Sequence, residues 1–185
     1  SVIPNLIPEF TIMLGTSIEN CKLKDNETIF ITQKLNGTRC VFYNGELYSR
    51  QGKKFIGLQR IQNQIMNLLD PNHWKDWVLD GELIYNKPDG MTDSEAFQIG
   101  TGIANSDSED KKELIYMIFD IIPKEVFENH LNSETYSFRH ARLNWLLEVI
   151  YRNQLENLDV VPFFYSGEDH SKISYYLEYA ENHDM

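Results

Sequence analysis

The residues of this sequence best suited to chemistry form the string Lys34-Leu35-Asn36-Gly37-Thr38-Arg39. A lysine at the end of a predicted strand, followed by a glycine turn and an arginine, places an amine and a guanidinium near one another. The amine can attack phosphorus while the cations stabilise charge on phosphate oxygens. Nearby positive charge and partial burial lower a lysine pKa and supply the free amine. Taken alone, the string also fits an exposed strand-turn-strand, because short motifs match by chance.

Two further strings place carboxylates inside predicted strands. Leu79-Asp80-Gly81-Glu82-Leu83 sets two acids around a glycine. Strand alternation directs Asp80 and Glu82 to one face, where they could hold a metal ion or a ribose hydroxyl. Ile118-Phe119-Asp120-Ile121 adds a ring and a carboxylate to an otherwise uncharged strand. Such an aspartate is either a functional residue or half of a buried salt bridge, and Phe119 alone is also consistent with a core residue.

In this order, these strings resemble the motifs of the covalent nucleotidyltransferases, which comprise ATP-dependent DNA ligases, RNA ligases and mRNA capping enzymes. The family's first motif is Lys-x-Asp-Gly-x-Arg, and here Asn36 stands in place of its acid. The segments that carry the resemblance are Lys34–Arg39, Ser49–Gly52, Asp80–Glu82, Phe97–Asn105 and Phe119-Asp120. The second of them resembles a string found in many DNA ligases, and the fourth looks like a segment of phage-type DNA ligases.

The resemblance implies that Lys34 attacks the α-phosphate of ATP, releases pyrophosphate and becomes lysyl-AMP. The AMP would then pass to a 5′-phosphate at a nick in duplex DNA, and a 3′-hydroxyl would displace it to seal the strand. The neighbours of the nucleophile, Leu35 and one or both of Thr32 and Gln33, would line the nucleotide site and help to select ATP over GTP.

Other roles follow from the resemblance at the remaining motifs. Arg39 and Arg50 would contact the nucleotide or the nick phosphate, and Phe119 would stack on the adenine. Glu82 would bind the ribose or, with Asp80, a metal ion. Mg²⁺ would neutralise the phosphates. Asn36 would contact DNA, but it lacks the charge of the usual aspartate, so its metal or strand-joining role is open.

The resemblance covers nearly the whole chain, which is interpreted as residues 1–185 of a partial adenylation domain. The family's later motifs, an acidic Glu-Gly string and a Lys-x-Lys pair, are not found after Phe119-Asp120, and we expect its C-terminal OB-fold domain to lie outside these residues. We therefore expect that nick sealing needs more than these residues. We expect a fold of the α+β class, with largely antiparallel sheets flanked by helices, because strands and helices are intermixed and one pair is a tight hairpin.

Three alternatives share parts of this pattern. An RNA ligase or a capping guanylyltransferase has the same Lys-x-x-Gly core. A preference for GTP would distinguish the capping enzyme from a DNA ligase, and the polarity of the sealed strand would distinguish the RNA ligase. A non-catalytic interaction module would keep the fold without modification of Lys34. The net charge of −11 favours that module somewhat, because a DNA-binding surface is normally basic. A local basic face on an acidic body remains compatible with DNA binding.

The composition fits an ordered globular protein, with 42% hydrophobic residues and ten each of Phe and Tyr. The longest apolar runs are too short to span a bilayer. From these features and the resemblance we expect a cytoplasmic monomer with a role in DNA replication or repair.

Hydrophobic periodicity locates the elements that must position these residues. Predicted strands lie at Thr28–Lys34, Cys40–Tyr43, Glu46–Ser49, Trp77–Tyr85, Leu114–Ile122 and Leu158–Phe164. Asn44-Gly45 predicts a hairpin between the second and third of these. Predicted helices lie at Leu58–Leu69, from Thr92 or Asp93 to Ile99, from Ser133 or Thr135 to Arg152, and at Ser171–Glu181. Gly100, Gly102 and the polar stretch Asn105–Lys112 predict an exposed loop.

Overall fold

The computed structural model describes residues 20–131 and 134–183, and the elements below are those of these residues. The strands in chain order are β1 (Ile29–Thr32), β2 (Thr38–Tyr43), β3 (Glu46–Ser49), β4 (Trp77–Tyr85), β5 (Leu114–Pro123), β6 (Leu158–Val160) and β7 (Phe163–Gly167). The α-helices are α1 (Gln59–Leu68), α2 (Asp93–Ala104), α3 (Lys124–Glu128), α4 (Tyr136–Arg152) and α5 (Ser171–Asn182), and a 3₁₀ turn lies at Trp74–Asp76.

The chain divides into two compact units. Among the described residues, one includes Asn36–Val160, and the other consists of residues 20–35 and 161–183. The first contains a five-stranded sheet in the order β3-β2-β4-β5-β6, and the second a two-stranded antiparallel sheet of β1 and β7. Within the large sheet only β5 and β6 run parallel. The predicted α+β class with largely antiparallel sheets is confirmed.

The predicted hairpin at Asn44-Gly45 joins β2 to β3. Both turn residues have positive φ, 48° at Asn44 and 79° at Gly45, as a two-residue hairpin turn requires. Tyr43 pairs with Glu46 directly beside the turn and Cys40 with Ser49 at the far end. The turn therefore fixes the register of the strand that begins just after Gly37.

The hydrophobic core of the first unit lies between one face of the large sheet and helices α1 and α4. The sheet contributes the fully buried side chains of Phe42, Leu79, Tyr116 and Ile118, among others. From the helices come Leu58, Ile61, Ile65, Leu68, Leu143, Leu146 and Ile150. Their spacing is helical, so the periodicity in the sequence correctly predicted which face of each helix is buried.

Helix α2 is longer than the sequence predicted. It begins at the Thr92 capping box with Glu95, as expected, but continues through Gly100 and Gly102 to Ala104. The two glycines predicted a loop, yet Gly100 allows the helix to lie close to β4: a Cβ there would be 3.1 Å from the Tyr85 nitrogen. The prediction of a loop at Gly100 and Gly102 was wrong because tertiary contact outweighs helix propensity.

The segment predicted as an exposed loop, Asn105–Lys112, is mostly exposed, but it contains one buried lysine. Lys111 is 3% exposed, and its Nζ donates a 2.8 Å hydrogen bond to the carbonyl oxygen of Ala104 at the end of α2. An ammonium at a helix C-terminus satisfies a carbonyl that has no partner within the helix. Burial lowers the pKa of Lys111 below its ordinary value.

The single strand predicted at Leu158–Phe164 is two strands in two different sheets. β6 ends at Val160, and β7 begins at Phe163 after Pro162. Proline has no N–H to give to a sheet, so it interrupts the strand. In the second unit, β7 pairs with β1, and Tyr176 of α5 stacks on Phe164 with ring centroids 5.7 Å apart.

Candidate functional site

Three predicted site residues of the first unit, Arg39, Asp80 and Glu82, lie on the sheet face opposite the core. On β2, Cys40 and Phe42 belong to the core, so alternation places Arg39 on the other face. On β4, Leu79 and Leu83 belong to the core, so Asp80 and Glu82 share the face of Arg39. The Cα register pairs Arg39 with Glu82 and Val41 with Asp80.

Arg39 and Asp80 form a bidentate ion pair across β2 and β4. Arg39 Nε donates to Asp80 Oδ1 at 2.7 Å, and a terminal nitrogen of Arg39 donates to Oδ2 at 2.6 Å. The side chains are 18% and 8% exposed. Burial alone would lower the pKa of Arg39, but the hydrogen bonds and charge of Asp80 outweigh it and raise that pKa. Burial raises the pKa of Asp80, and Arg39 opposes the shift.

Two glycines of the motifs occupy positions where a side chain does not fit. A Cβ on Gly81 would lie 2.7 Å from the Tyr116 ring and would also press on the Met117 carbonyl oxygen. A Cβ on Gly37 would lie 2.5 Å from the Leu83 carbonyl oxygen. The glycine between Asp80 and Glu82 thus lets β5 approach β4, and Gly37 lets the start of β2 pass beside β4.

Phe119 lies at a β-bulge in β5. Asp80 pairs with Asp120 and Gly81 with Ile118, so Phe119 between them has no partner on β4. Ile118 and Ile121 both belong to the core although they are three positions apart, which regular alternation would not allow. The bulge turns Phe119 to the face of Arg39, whose guanidinium carbon is 4.8 Å from the ring centroid.

Asp120 also has an arginine partner. Arg139 of α4 approaches Asp120 Oδ1 with Nε at 2.9 Å, and the side chains are 15% and 10% exposed. Burial raises the pKa of Asp120 to about 6, because it outweighs the lowering by Arg139, and the charge of Asp80 raises it further. The sequence indicated that Asp120 needs a function or a salt bridge. The structure provides the salt bridge, with a residue that the sequence analysis did not identify.

The remaining predicted residues of the first unit are more exposed. Arg50 is exposed and directly follows Ser49, which pairs with Cys40, so it lies at the Arg39 end of the hairpin. Asn36 is exposed just before β2, and Glu82 is half-buried. The structure thus brings Arg39 into direct contact with both Asp80 and Phe119.

The predicted nucleophile belongs to the second unit. Lys34 is exposed and lies two residues beyond the end of β1. Thr32 is the last residue of that strand, and the Gln33 N–H donates to the carbonyl oxygen of Pro162 at 2.9 Å. Leu35 is half-buried. The amine of Lys34 is therefore open to a substrate, on backbone held by the pairing of β1 and β7.

The acidic residues near the site do not form a ready metal cage. Within residues 20–131 and 134–183, no group of three or more His, Cys, Asp or Glu side chains is arranged to hold a metal ion. Mg²⁺ commonly binds through one or two carboxylates together with substrate phosphates, so a single half-buried acid is compatible with it. Both oxygens of Asp80 are engaged by Arg39, and Glu82, the other predicted ligand, is half-buried.

The fold is that of solved DNA ligases. A Lig E DNA ligase matches with a TM-score of 0.61 at 18% identity, over 93% of this chain and 57% of the other. A structure named Pmar-Lig_PreS3 gives a TM-score of 0.60 at 22% identity, with 84% and 35% covered. The ATP-dependent DNA ligase of bacteriophage T7 in complex with ATP gives 0.55 at 16%, with 78% and 50% covered. The chain thus spans between 35% and 57% of the length of these three structures.

The sequence identifies the family as well as the fold. The family model described as ATP dependent DNA ligase domain matches residues 13–162. This range contains Lys34 and every other predicted site residue. The chain therefore belongs to the ATP-dependent DNA ligase domain family. A search of curated proteins found no match. Among the helices of the described residues, none is long and apolar enough to cross a membrane.

Proposed function

We propose that this protein is an ATP-dependent DNA ligase in which Lys34 takes up AMP. The observation that carries the proposal is the family match, which extends over Lys34 and the Arg39–Asp80–Phe119 cluster alike. The structure supports it because strands of three separate motifs meet at that cluster, although Arg39 and Phe119 are 80 positions apart in the sequence.

Lys34 supplies the nucleophile of the first step. Its unprotonated Nζ attacks the α-phosphorus of ATP, a nitrogen–phosphorus bond forms, and the bond to the β-phosphate oxygen breaks. The products are lysyl-AMP and pyrophosphate, and the amine loses its proton to solvent. The exposed position of Lys34 after β1 supports this role, because an attacking amine must reach phosphorus in line with the leaving group.

The first unit supplies the residues that recognise the nucleoside. Phe119 offers an aromatic ring for adenine, with Arg39 over one face and stacking of the base on the other. Glu82 is placed on the same sheet face to accept a hydrogen bond from the ribose. Arg39 is held by Asp80, so its proposed role is to present its guanidinium at a fixed position over the Phe119 ring. The exposed Arg50 is suited to binding a nick phosphate. Thr32, Gln33 and Leu35 contribute to the choice of ATP.

Mg²⁺ is the proposed metal, and when bound it neutralises the phosphate oxygens and the departing pyrophosphate. Glu82, alone or with Asp80, is proposed to help to hold it. In the later steps the AMP passes to the 5′-phosphate at a nick, and the 3′-hydroxyl displaces it. We propose Asn36 and Arg50 as contacts to nicked duplex DNA. We also propose that the protein is a cytoplasmic monomer and that it acts in DNA replication or repair.

The test is the intact mass of the protein after incubation with Mg²⁺ and either ATP or GTP. Lys34→Ala removes the nucleophile, and Lys24→Ala is the matched control, since Lys24 is another exposed lysine of the second unit. We expect a gain of one AMP from ATP alone, retained in Lys24→Ala and lost in Lys34→Ala.

Each other outcome rejects part of the proposal. A gain of GMP from GTP would identify a capping-type enzyme. A gain of AMP that persists in Lys34→Ala would assign the nucleophile elsewhere. No mass gain in any variant would favour the non-catalytic module. With adenylylated protein in hand, sealing of a nicked DNA duplex but not of a nicked RNA strand separates the DNA ligase from an RNA ligase.

A further inference from the structure

Two carboxylates face each other at the centre of the site. Asp80 on β4 and Asp120 on β5 are direct cross-strand partners. Both are mostly buried, at 6% and 7% exposure. Like charges directly opposite each other on neighbouring strands destabilise a sheet unless each is compensated. Here each has its own arginine: Arg39 pairs with Asp80, and Arg139 pairs with Asp120.

Arg139 is itself held in place by three contacts. It is the fourth residue of α4, and its Nε lies 2.9 Å from Asp120 Oδ1. A terminal nitrogen donates to the Glu134 carbonyl oxygen at 3.1 Å, and the guanidinium lies 5.3 Å from the centroid of the Tyr136 ring. A guanidinium fixed at several points presents its charge in one direction.

Asp120 in turn shapes the bulge. Its Oδ1 accepts a 3.0 Å hydrogen bond from the Ile121 N–H, two residues after the bulged residue Phe119. The same oxygen is the one that Arg139 approaches. The conformation of the backbone on the C-terminal side of Phe119 is therefore tied to α4 through a single carboxylate.

We propose that Arg139 is a positioning residue for the adenine base: by compensating Asp120 it holds the β5 bulge that directs Phe119 towards the nucleotide. The inference rests on the proposed function and extends it to a helix that carries none of the recognised motifs. Without Arg139, the carboxylate of Asp120 would have no positive partner. It would repel the carboxylate of Asp80, and both carboxylates would attract the single guanidinium of Arg39. The guanidinium over the Phe119 ring and the ring itself would then both shift.

This proposal predicts an effect on nucleotide affinity. In Arg139→Gln, the ATP concentration for half-maximal AMP transfer to Lys34 should rise by about tenfold or more, because misplacing a binding group by 1 Å can cost on the order of 100-fold. Arg139→Lys keeps the positive charge but loses the planar guanidinium with its several N–H donors. Its half-saturating ATP concentration should therefore lie between those of Arg139→Gln and the unaltered protein. The matched control is Arg152→Gln, which breaks an exposed pair with Glu148 on the same helix and should leave the ATP dependence unchanged.

The double variant Arg139→Gln/Asp120→Asn separates positioning from a merely structural role. It removes both charges, and asparagine keeps the shape of Asp120, so Asp80 has no like charge to repel. The ATP dependence should then return towards that of the unaltered protein. A merely structural role would lower the fraction of active protein and the maximum rate, with the half-saturating ATP concentration unmoved. Thermal unfolding of each variant shows independently how far the substitution lowers stability.

Three results would overturn the inference. The first is an Arg139→Gln variant with the same half-saturating ATP concentration as the unaltered protein. The second is an equal shift in Arg152→Gln. The third is a double variant no better than Arg139→Gln alone. Failure of the proposed function is distinguishable from these, because the unaltered protein would then show no AMP gain at any ATP concentration, which removes the basis of this inference too.

Discussion

Arg39 and Asp80, 41 positions apart in the sequence, hold one another by two hydrogen bonds of 2.7 and 2.6 Å across the centre of the large sheet. One residue comes from the Lys-x-x-Gly-x-Arg string and the other from the Asp-Gly-Glu string. The pair therefore joins two motifs that the sequence shows only as separate strings. It also fixes the guanidinium that lies over Phe119.

Breaking this pair should destabilise the first unit strongly. Arg39→Gln leaves the buried carboxylate of Asp80 without its partner, and loss of one member of a buried ion pair costs about 3–5 kcal/mol. Unfolding in urea, followed by circular dichroism, measures the change in free energy. Arg60→Gln is the matched control, because Arg60 and Asp110 form a pair of the same bidentate geometry that is 55% and 50% exposed. Equal losses in both variants would contradict the assigned importance of burial.

Gly81 should tolerate no side chain. Alanine at this position would press against the Met117 carbonyl oxygen and the Tyr116 ring, so we expect Gly81→Ala to lower the free energy of unfolding by about 1–3 kcal/mol. Gly102→Ala is the control, because no atom lies within 4 Å of a Cβ at Gly102. Since Gly102 is inside α2, alanine there should stabilise by up to about 1 kcal/mol. If both variants are equally stable, the close approach of β4 and β5 is not what requires the glycine.

The sequence was informative about the site because several of the site residues lie within strands, where alternation predicts the face to which each side chain points. Alternation correctly assigned Asp80 and Glu82 to one face, and a charged residue in the apolar strand β5 correctly marked Asp120 as needing a partner. It did not identify Arg139, because nothing in an amphipathic helix indicates which polar residue turns towards a sheet. Nor did it reveal the bulge at Phe119, which arises from the register of β4 against β5 and not from local propensity.

The elements themselves were predictable where periodicity was strong, as at Trp77–Tyr85, which is β4. The errors in the predicted helix and strand bounds arose at glycine and proline residues whose conformation depends on contacts with distant parts of the chain. Gly100 favoured the end of a helix locally, but the close contact with Tyr85 kept α2 helical. The apolar run at Leu158–Phe164 predicted one strand, although the chain passes from one sheet to another at Pro162. In both places tertiary contacts outweighed the local pattern.

The buried Asp120 should make stability depend on pH. Its pKa is about 6 in the folded protein, against 3.8 ordinarily, because burial favours the neutral acid. The folded state therefore holds this proton more tightly, so the contribution of Asp120 to stability is fully present below pH 4 and is lost as pH rises through 6. The shift corresponds to on the order of 3 kcal/mol. Carbon-13 NMR of the aspartate carboxyl groups would show one resonance titrating near pH 6 and absent in Asp120→Asn.

The direction of this shift can be tested with Arg139. Because the Arg139 charge lowers the Asp120 pKa, Arg139→Gln should move the titration of Asp120 to higher pH. Arg152→Gln, on the exposed side of α4, should not move it. A shift to lower pH in Arg139→Gln would show that the two residues are not paired in solution.

Phe119 should govern nucleotide affinity through its ring. Phe119→Ala removes the surface on which adenine would stack, and we expect a rise in the half-saturating ATP concentration for lysyl-AMP formation of about tenfold, since base–aromatic stacking contributes roughly 1–3 kcal/mol. Phe119→Tyr retains the ring and should stay close to the unaltered protein. Tyr151→Ala is the control, because Tyr151 lies near the C-terminal end of α4 and is 71% exposed. Intact mass measured over a range of ATP concentrations provides the values. If Phe119→Ala and Phe119→Tyr have the same ATP dependence, the ring does not stack on the base, and Arg39 over Phe119 serves only the stability of the sheet.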